Sequence, residues 1–476
     1  MNGTVQVLAR PANAPSQREG DAMSDIALSP ETIVARVERL PISRWHNFMR
    51  VVVGSATFFD AFDALVIAFV LPVLIGLWHM SPAQVGLLVS SGYVGQVIGC
   101  IFFGWVAERF GRLRSLAWTV GVISVLSIGC AFAWDANSLM VLRFIQGIGL
   151  GGEVPIALAY VNEFAKAEKR GRFVLIFQSI FPVGILVASL VSIWVVPHWG
   201  WQWMFIIGAV PAILAATLRR VLPESPRWLA TKGRLAEADR IVSDLEAKIS
   251  EQGKKPLPPL VDVPRILVEK QASWRDLFAD IYLRRTVVIW ICWFVASFVG
   301  FGITIWLPTI LRTVYKLPLQ EALQYGFIGN IAAVAGVLTI TFLVDHTGRR
   351  PGYSAAFAFA SVPLIALWIM GAQVSVITIV GLTWIASFFS SMLQLGLVLY
   401  ASELYPTRMR ALGSGIGASW TRIGSMVGQP IVGLVLQSAD VAAVFLLLGV
   451  VALVGAAAMS LFGVETRGVV LEELSP

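Results

Sequence analysis

Five ionisable side chains lie inside stretches that are otherwise apolar. Asp60 and Asp63 fall in FFDAFDALVIAFVLP, Arg143 and Glu153 bound RFIQGIGLGGE, and Arg422 lies in SWTRIGS. A charge at bilayer depth is costly, so each calls for a partner or a role. If the first helix begins near residue 50, a rise of 1.5 Å per residue puts Asp60 roughly 15 Å deep and Asp63 roughly 20 Å deep. Three positions apart, the two share a helix face. Two carboxylates that close in a low dielectric do not both stay ionised, so the pair is expected to load and release a proton as water access alternates. The bland reading is that they only accept hydrogen bonds from neighbouring helices. Glu153, roughly 20 Å along its helix, is a second candidate carrier. It follows Gly147, Gly149, Gly151 and Gly152, which permit a close helix approach. Arg143, about a turn inside the same helix, can pair with a carboxylate or snorkel outward.

Arg422 suggests a second kind of chemistry. It sits roughly 15 Å from the start of its helix and stays charged at any accessible pH. Facing a central cavity, it would attract a carboxylate and hold it by paired hydrogen bonds. The competing role is an ion pair with Asp60, Asp63 or Glu153. Tyr93, Trp306, Phe388 and Trp420 are candidate cavity walls, and Gln178, Asn330 and Gln394 candidate neutral hydrogen-bonding groups. With no further cation evident at mid-depth, such a site suits a small monoanion better than a polyanion.

The elements that must position these groups follow from composition. Of 476 residues, 57% are hydrophobic and 14% charged, well under the charged share of soluble domains. Long apolar runs without period-2 alternation indicate membrane helices rather than barrel strands. Twelve spans can be placed: 50–74, 84–107, 115–134, 139–163, 173–196, 201–218, 286–311, 321–344, 353–371, 376–400, 412–436 and 441–463. The fold expected is therefore all-α and polytopic. Its units are a leader (1–49, partly disordered), a six-helix bundle (50–218), a central loop (219–285), a second bundle (286–464) and a tail (465–476). With a cytoplasmic N-terminus, 32 of the 36 Lys and Arg fall in inward-facing segments, so both termini are expected inside.

The net charge of +7 then reflects basic loops against an anionic leaflet and not nucleic-acid binding. ETIVARVERLPIS reads as a short amphipathic helix at the inner surface. Cys100, Cys130 and Cys292 have no metal or redox spacing and read as packing residues. Nor is there a nucleophile–base pair or a nucleotide-binding loop. GIGLGG lies inside an apolar helix, where a phosphate cradle does not form. No enzyme activity and no cofactor are expected. The partners are a small organic anion, a proton and the lipid bilayer, with the chain acting as a monomer.

The chain also repeats itself. GWVAERFGRLRS follows the second span and FLVDHTGRRPG the eighth, with Glu108 and Asp345 237 residues apart. NEFAKAEKRGR and ASELYPTRMRALG follow the fourth and tenth, with Glu163 and Glu403, and Arg170 and Arg410, each 240 apart. Parallel repeats imply two similar bundles about an axis normal to the membrane. Glu108, Arg109, Arg112, Glu163, Arg170, Asp345, Arg349, Glu403 and Arg410 are expected to form latches between helix ends, remade as the halves rock. Glu163 is expected to pair with Arg170 or across the bundle.

On these motifs the sequence resembles the major facilitator superfamily over about residues 50–465. GWVAERFGRLRS resembles its loop signature after helix two, with Glu108 where Asp is usual. In the second copy Thr341 stands where glycine is common. RFIQGIGLGGE resembles the helix-four signature. PESPRWL (223–229) and ELYPTRMRALG (403–413) are similar to sugar-porter markers after helices six and ten. The paired aspartates of FFDAFDALVIAFVLP resemble those of bacterial aromatic-acid:proton symporters and nicotinate (niacin) transporters, and Glu153 is closer to the latter. Arg422 resembles the helix-eleven arginine of organic-anion transporters in the superfamily. The resemblance implies a bacterial inner-membrane transporter importing a small aromatic or pyridine carboxylate by proton symport. Sugar or polyol uptake, or export of a hydrophobic cation, are the alternatives.

Overall fold

Caps and breakers in the sequence set the helix ends. The computed structural model describes residues 28–166, 170–253, 257–260, 273–371 and 374–467. The distal leader, most of the Pro-rich part of the central loop and the end of the tail lie outside these. Ser29 caps α1 (Pro30–Arg39), accepting the Thr32 N–H at 3.2 Å. The first membrane helix is α2 (Arg44–Trp78), and α3 (Pro82–Phe110) starts at a capping box of Ser81 and Gln84 with proline in its first turn. Next come α4 (Arg112–Ala131) and α5 (Ala136–Phe164), the latter capped by Asp135.

The fifth span is two helices, α6 (Arg170–Gln178) and α7 (Ile180–Trp199). The sixth is α8 (Gln202–Gly208) and α9 (Ala212–Val221), interrupted before Pro211, which has no N–H to continue the ladder. The loop supplies α10 (Pro226–Thr231) and α11 (Leu235–Gly253). The other six spans are α12 (Asp280–Thr313), α13 (Leu319–Thr347), α14 (Arg349–Met370), α15 (Val376–Leu404), α16 (Thr407–Ser438) and α17 (Val441–Phe462).

All twelve expected spans therefore have helical counterparts, in two bundles of six. Eleven are long and apolar enough to cross a bilayer by composition alone. The twelfth, α16, carries a run of small and polar residues from Gly413 to Ser425, including Arg422. Such a helix is tolerated only where it faces other helices or a wet interior. Within the first bundle, α3 and α5 cross with backbones in contact. A Cβ at Gly99 or Gly151 would lie 2.0 Å from the carbonyl oxygen of Ile148 or Gln96, so only glycine fits.

The two bundles meet at the end bearing the α2–α3 and α16–α17 turns. There Ser90 Oγ donates to the Met426 carbonyl at 2.7 Å, and the Ala83 N–H donates to Gln437 Oε1 at 3.2 Å. Gly86 lies against the backbone of Gln429 and Pro430, and Gly433 against Pro82. This turn end is closed. The opposite, loop end carries α1, α10 and α11.

Two expectations change on packing grounds. α1 forms, and its apolar face is covered by protein: Ile33 and Val37 are buried against Trp228, Leu229, Ala238 and Val242. Arg36 and Arg39 both reach Glu246 of α11, at 2.7 and 2.6 Å. Arg227 reaches Glu38 at 2.5 Å. Trp201, which reads as an interface anchor beside Trp78 and Trp199, is turned inward onto Trp78 and Phe205. Trp199 remains exposed.

Candidate functional site

Two buried polar groups divide the acidic residues of α2. Asp63 turns into the first bundle. Its Oδ1 accepts from Ser127 Oγ of α4 at 2.8 Å, and Gly208 of α8 leaves the space its carboxylate fills. Arg143 of α5 donates to the Asp63 carbonyl at 3.1 Å and to Gln146 Oε1 at 2.7 Å, and Gln146 Nε2 returns to Ser127 at 2.7 Å. Arg143 is buried, so it does not snorkel. Its positive charge is held beside Asp63 by a closed set of hydrogen bonds.

Asp60 takes the other direction. Its carboxylate lies within electrostatic range of Glu153 and Arg422 as well as Asp63. Glu153 Oε1 accepts from Thr57 Oγ1, one turn before Asp60, at 2.9 Å. One oxygen each of Asp60, Asp63 and Glu153, and the Nε of Arg422, are buried without a hydrogen-bond partner. Such groups are expensive to leave unmade in an interior. At a site that exchanges protons and ligand they are the groups that change partners. The pair on one face of α2 thus serves two environments, and the group that Asp60 joins is drawn from α2, α5 and α16.

The other candidates are distributed unevenly. Trp420, one residue before Thr421 on α16, stacks on Trp290 with ring centroids 5.1 Å apart. Tyr93 is buried against Phe301 across the bundle interface, its hydroxyl beside Ser425 but outside hydrogen-bond geometry. Asn330 is buried with its Nδ2 unpartnered, and Gln394 packs against Gly300 of α12. Gln178 is half-buried at the break between α6 and α7. Trp306 is committed elsewhere: fully buried, it donates to Gln429 Oε1 at 2.8 Å beside the closed seam. Phe388 packs edge-on to Phe389, and its backbone meets Gly336. Among the described residues no cluster has the ligands for a metal ion.

At the loop end the charged motifs form two copies of one arrangement. Arg112 Nε donates to Glu163 at 3.0 Å and its NH2 to Glu108 at 2.6 Å. Arg349 binds both oxygens of Glu403, at 3.1 and 2.8 Å. These pairs stay within their own halves. Arg109 instead lies over Trp105 and Phe110. The side chains of Arg170, Asp345 and Arg410 lie outside the described residues.

Sequence reading passed over the carboxylates that complete each copy. Glu224 of PESPRWL accepts the N–H groups of Arg112 and Leu113 at 3.0 Å, capping α4 where Gly111 turns at φ 109°. Glu465 does the same for α14, accepting from Arg349 at 2.9 Å and Arg350 at 3.1 Å beside Gly348 at φ 79°. The signal was available: Glu224 and Glu465 are 241 residues apart, close to the spacing of the other repeats.

Partial burial alone would raise the Glu465 carboxyl. The N–H groups of Arg349, Arg467, Arg350 and Thr466 outweigh that and hold it below its ordinary value. A depressed carboxyl stabilises the fold above its unfolded pKa, and that contribution is lost as pH falls through the folded value. Replacing Glu224 or Glu465 by Gln is expected to cost about 1–2 kcal/mol through the weakened cap. Thermal unfolding of the purified variants measures this, with the exposed Glu251→Gln as the unchanged control.

The family described as sugar (and other) transporter matches this chain over residues 46–476. A niacin transporter of Acinetobacter baylyi is 33% identical over 444 residues, covering 93% of this chain and 99% of that protein. A gallate transporter of Pseudomonas putida is 30% identical over 403 residues, covering 84% and 88%. Among solved structures, that of a D-xylose-proton symporter superposes with a TM-score of 0.71 at 20% identity, covering 89% of this chain and 99% of that one. At that identity the likeness is one of fold.

Proposed function

Because the chain belongs to the sugar (and other) transporter family of the major facilitator superfamily, and so is a multi-pass membrane transporter and not an enzyme, we propose that it imports a small organic monoanion together with a proton. The observation that carries this reading is the guanidinium of Arg422, half-buried with an unpartnered Nε, within electrostatic range of a buried Asp60. The niacin and gallate transporters among its relatives favour an aromatic or pyridine carboxylate. The xylose-proton symporter fold is compatible with proton coupling.

The coupling follows from competition for one cation. Only one of Asp60 and Glu153 needs to be ionised to balance Arg422 in the empty carrier. We assign that charge to Asp60, on which Arg422 acts, and the proton to Glu153, which keeps the neutral Thr57 hydroxyl. An arriving carboxylate takes Arg422 as a paired hydrogen-bond acceptor. Asp60, displaced into a dehydrated space, must then take up a proton, because a lone buried carboxylate costs several kcal/mol. Both forms that cross the cycle are therefore electrically balanced, and anion and proton move together. The bundles rock about this group, opening the loop end as the turn end closes. Placed in a bacterial inner membrane with both termini cytoplasmic, the cycle delivers substrate inward down the proton gradient.

Uptake into proteoliposomes tests the reading. With an inward-directed proton gradient, nicotinate or a hydroxybenzoate is expected to accumulate and to be displaced by its own analogues. Hexoses and lipophilic cations should neither compete nor accumulate. Accumulation of a hexose, or uptake of the acid that ignores the gradient, would overturn it.

A further inference from the structure

A polar cavity among the described residues is not used by the central group. It lies at the loop end of the first bundle, between the start of α4, the end of α9 and the turn after α10. Arg114, Arg219 and Arg234 line it, with Leu113 and Leu222 buried in its floor and Phe110 on its rim. Its two carboxylates are already engaged. Glu224 is taken up by the N–H groups of Arg112 and Leu113, and Glu237 pairs with Arg234. Arg114 and Arg219 are exposed and come from two packed helices; with Glu224 bound only by neutral N–H groups, three arginines against two carboxylates leave the cavity a net positive charge.

The surface next to the cavity is apolar. Phe110 meets Trp118 at 5.7 Å and Trp105 at 6.4 Å, and all three rings are exposed. On α9 itself, Ile213, two turns before Arg219, is 73% exposed. Exposed aromatic rings on membrane helices belong at the boundary between acyl chains and headgroups. Guanidinium groups directly beyond that boundary match the planar, bidentate needs of a phosphate oxyanion. The cavity therefore offers a phosphate-binding mouth continuous with an acyl-chain ledge.

We propose that Arg114 and Arg219 form a binding site for a phosphate oxyanion, and that its source is the phosphodiester of an anionic phospholipid lying along Phe110 and Trp118. A free phosphate would use the same arginines but would gain nothing from the aromatic ledge. A bound lipid would tie the ends of α4 and α9, and with them the capped turn at Gly111, to the bilayer. The site is separate from the group formed by Asp60, Glu153 and Arg422, so it stands or falls independently of the transported substrate.

Native mass spectrometry of the detergent-purified full chain tests it with phosphatidylglycerol, phosphatidylcholine and inorganic phosphate as probes. The wild-type chain is expected to retain phosphatidylglycerol in preference to phosphatidylcholine. R114Q/R219Q should weaken that retention about 10-fold or more. R114K/R219K, which keeps both charges, should recover part of it, and carries the test should the glutamine variant not fold. R240Q, on the exposed face of α11, serves as the control and should behave as wild type. Equal retention by R114Q/R219Q, equal loss in R240Q, or no preference over phosphatidylcholine would overturn the site. Arginine-dependent binding of inorganic phosphate without retention of phosphatidylglycerol would overturn the lipid assignment.

Discussion

Arg422→Ala is expected to weaken binding of the organic monoanion by about 100-fold or more, on the order of 3 kcal/mol for a lost pair of charge-assisted hydrogen bonds. Isothermal titration or a scintillation-proximity assay on the purified carrier reads the change directly. Arg422→Lys should fall between, since an ammonium keeps the charge but loses the planar fork. A stability effect accompanies it, because removing the cation leaves Asp60 buried beside Glu153 with no opposite charge at hand. Asp60→Asn combined with Arg422→Gln removes both members and should restore thermal stability without restoring affinity. If Arg422→Ala bound the acid as tightly as wild type, the guanidinium would be a structural ion pair and the substrate would have to be held elsewhere.

The helices were legible for a physical reason: a span must satisfy every backbone group internally, so length and hydropathy alone reveal it. The span 412–436 is placed with the others, although α16 is not among the helices whose composition alone marks them as spans. What the residue spacing could not resolve was direction within a shared face. Asp60 and Asp63 stand three positions apart, and that is enough for one to face Arg422 while the other fills the space left by Gly208. Ser127 and Gly208, which decide the matter, come from α4 and α8, far along the chain. Trp306 shows the same blindness. Nothing in its spacing reveals that Gln429, 123 residues away, accepts from its indole N–H.

The loop-end motifs show the converse, where the repeat held more than was used. Arg112 with Glu163, and Arg349 with Glu403, are related by nearly the spacing that relates Glu224 to Glu465. Each set joins a helix start, a helix end and a following carboxylate, and each sits beside a glycine at positive φ. With the turn end closed, Arg112 and Arg349 each pair with a carboxylate of their own half. If these groups latch the halves together, at least one must exchange partners, and opening the turn end is then expected to disturb the arrangement around Arg112 or Arg349.

Asp60→Asn should separate binding from coupling, the second large effect expected here. In the competition described above, the acid must displace Asp60 from Arg422, and the displaced carboxylate must gain a proton. Wild-type affinity should therefore rise as pH falls. An asparagine cannot be ionised and leaves Arg422 permanently available. The variant should bind the monoanion at least as tightly as wild type, with an affinity that no longer depends on pH across the range where the wild type responds. Its loaded form remains balanced and can still cross, so substrate exchange should persist. The empty form now carries an uncompensated guanidinium and should return slowly, so net accumulation driven by the proton gradient should fall by an order of magnitude or more, at about 1.4 kcal/mol per tenfold. Counterflow and gradient-driven uptake, measured on the same proteoliposomes, distinguish these steps. Should Asp60→Asn retain gradient-driven accumulation while Glu153→Gln loses it, the proton would travel on the carboxylate that faces Thr57, and Asp60 would be only the resting partner of Arg422.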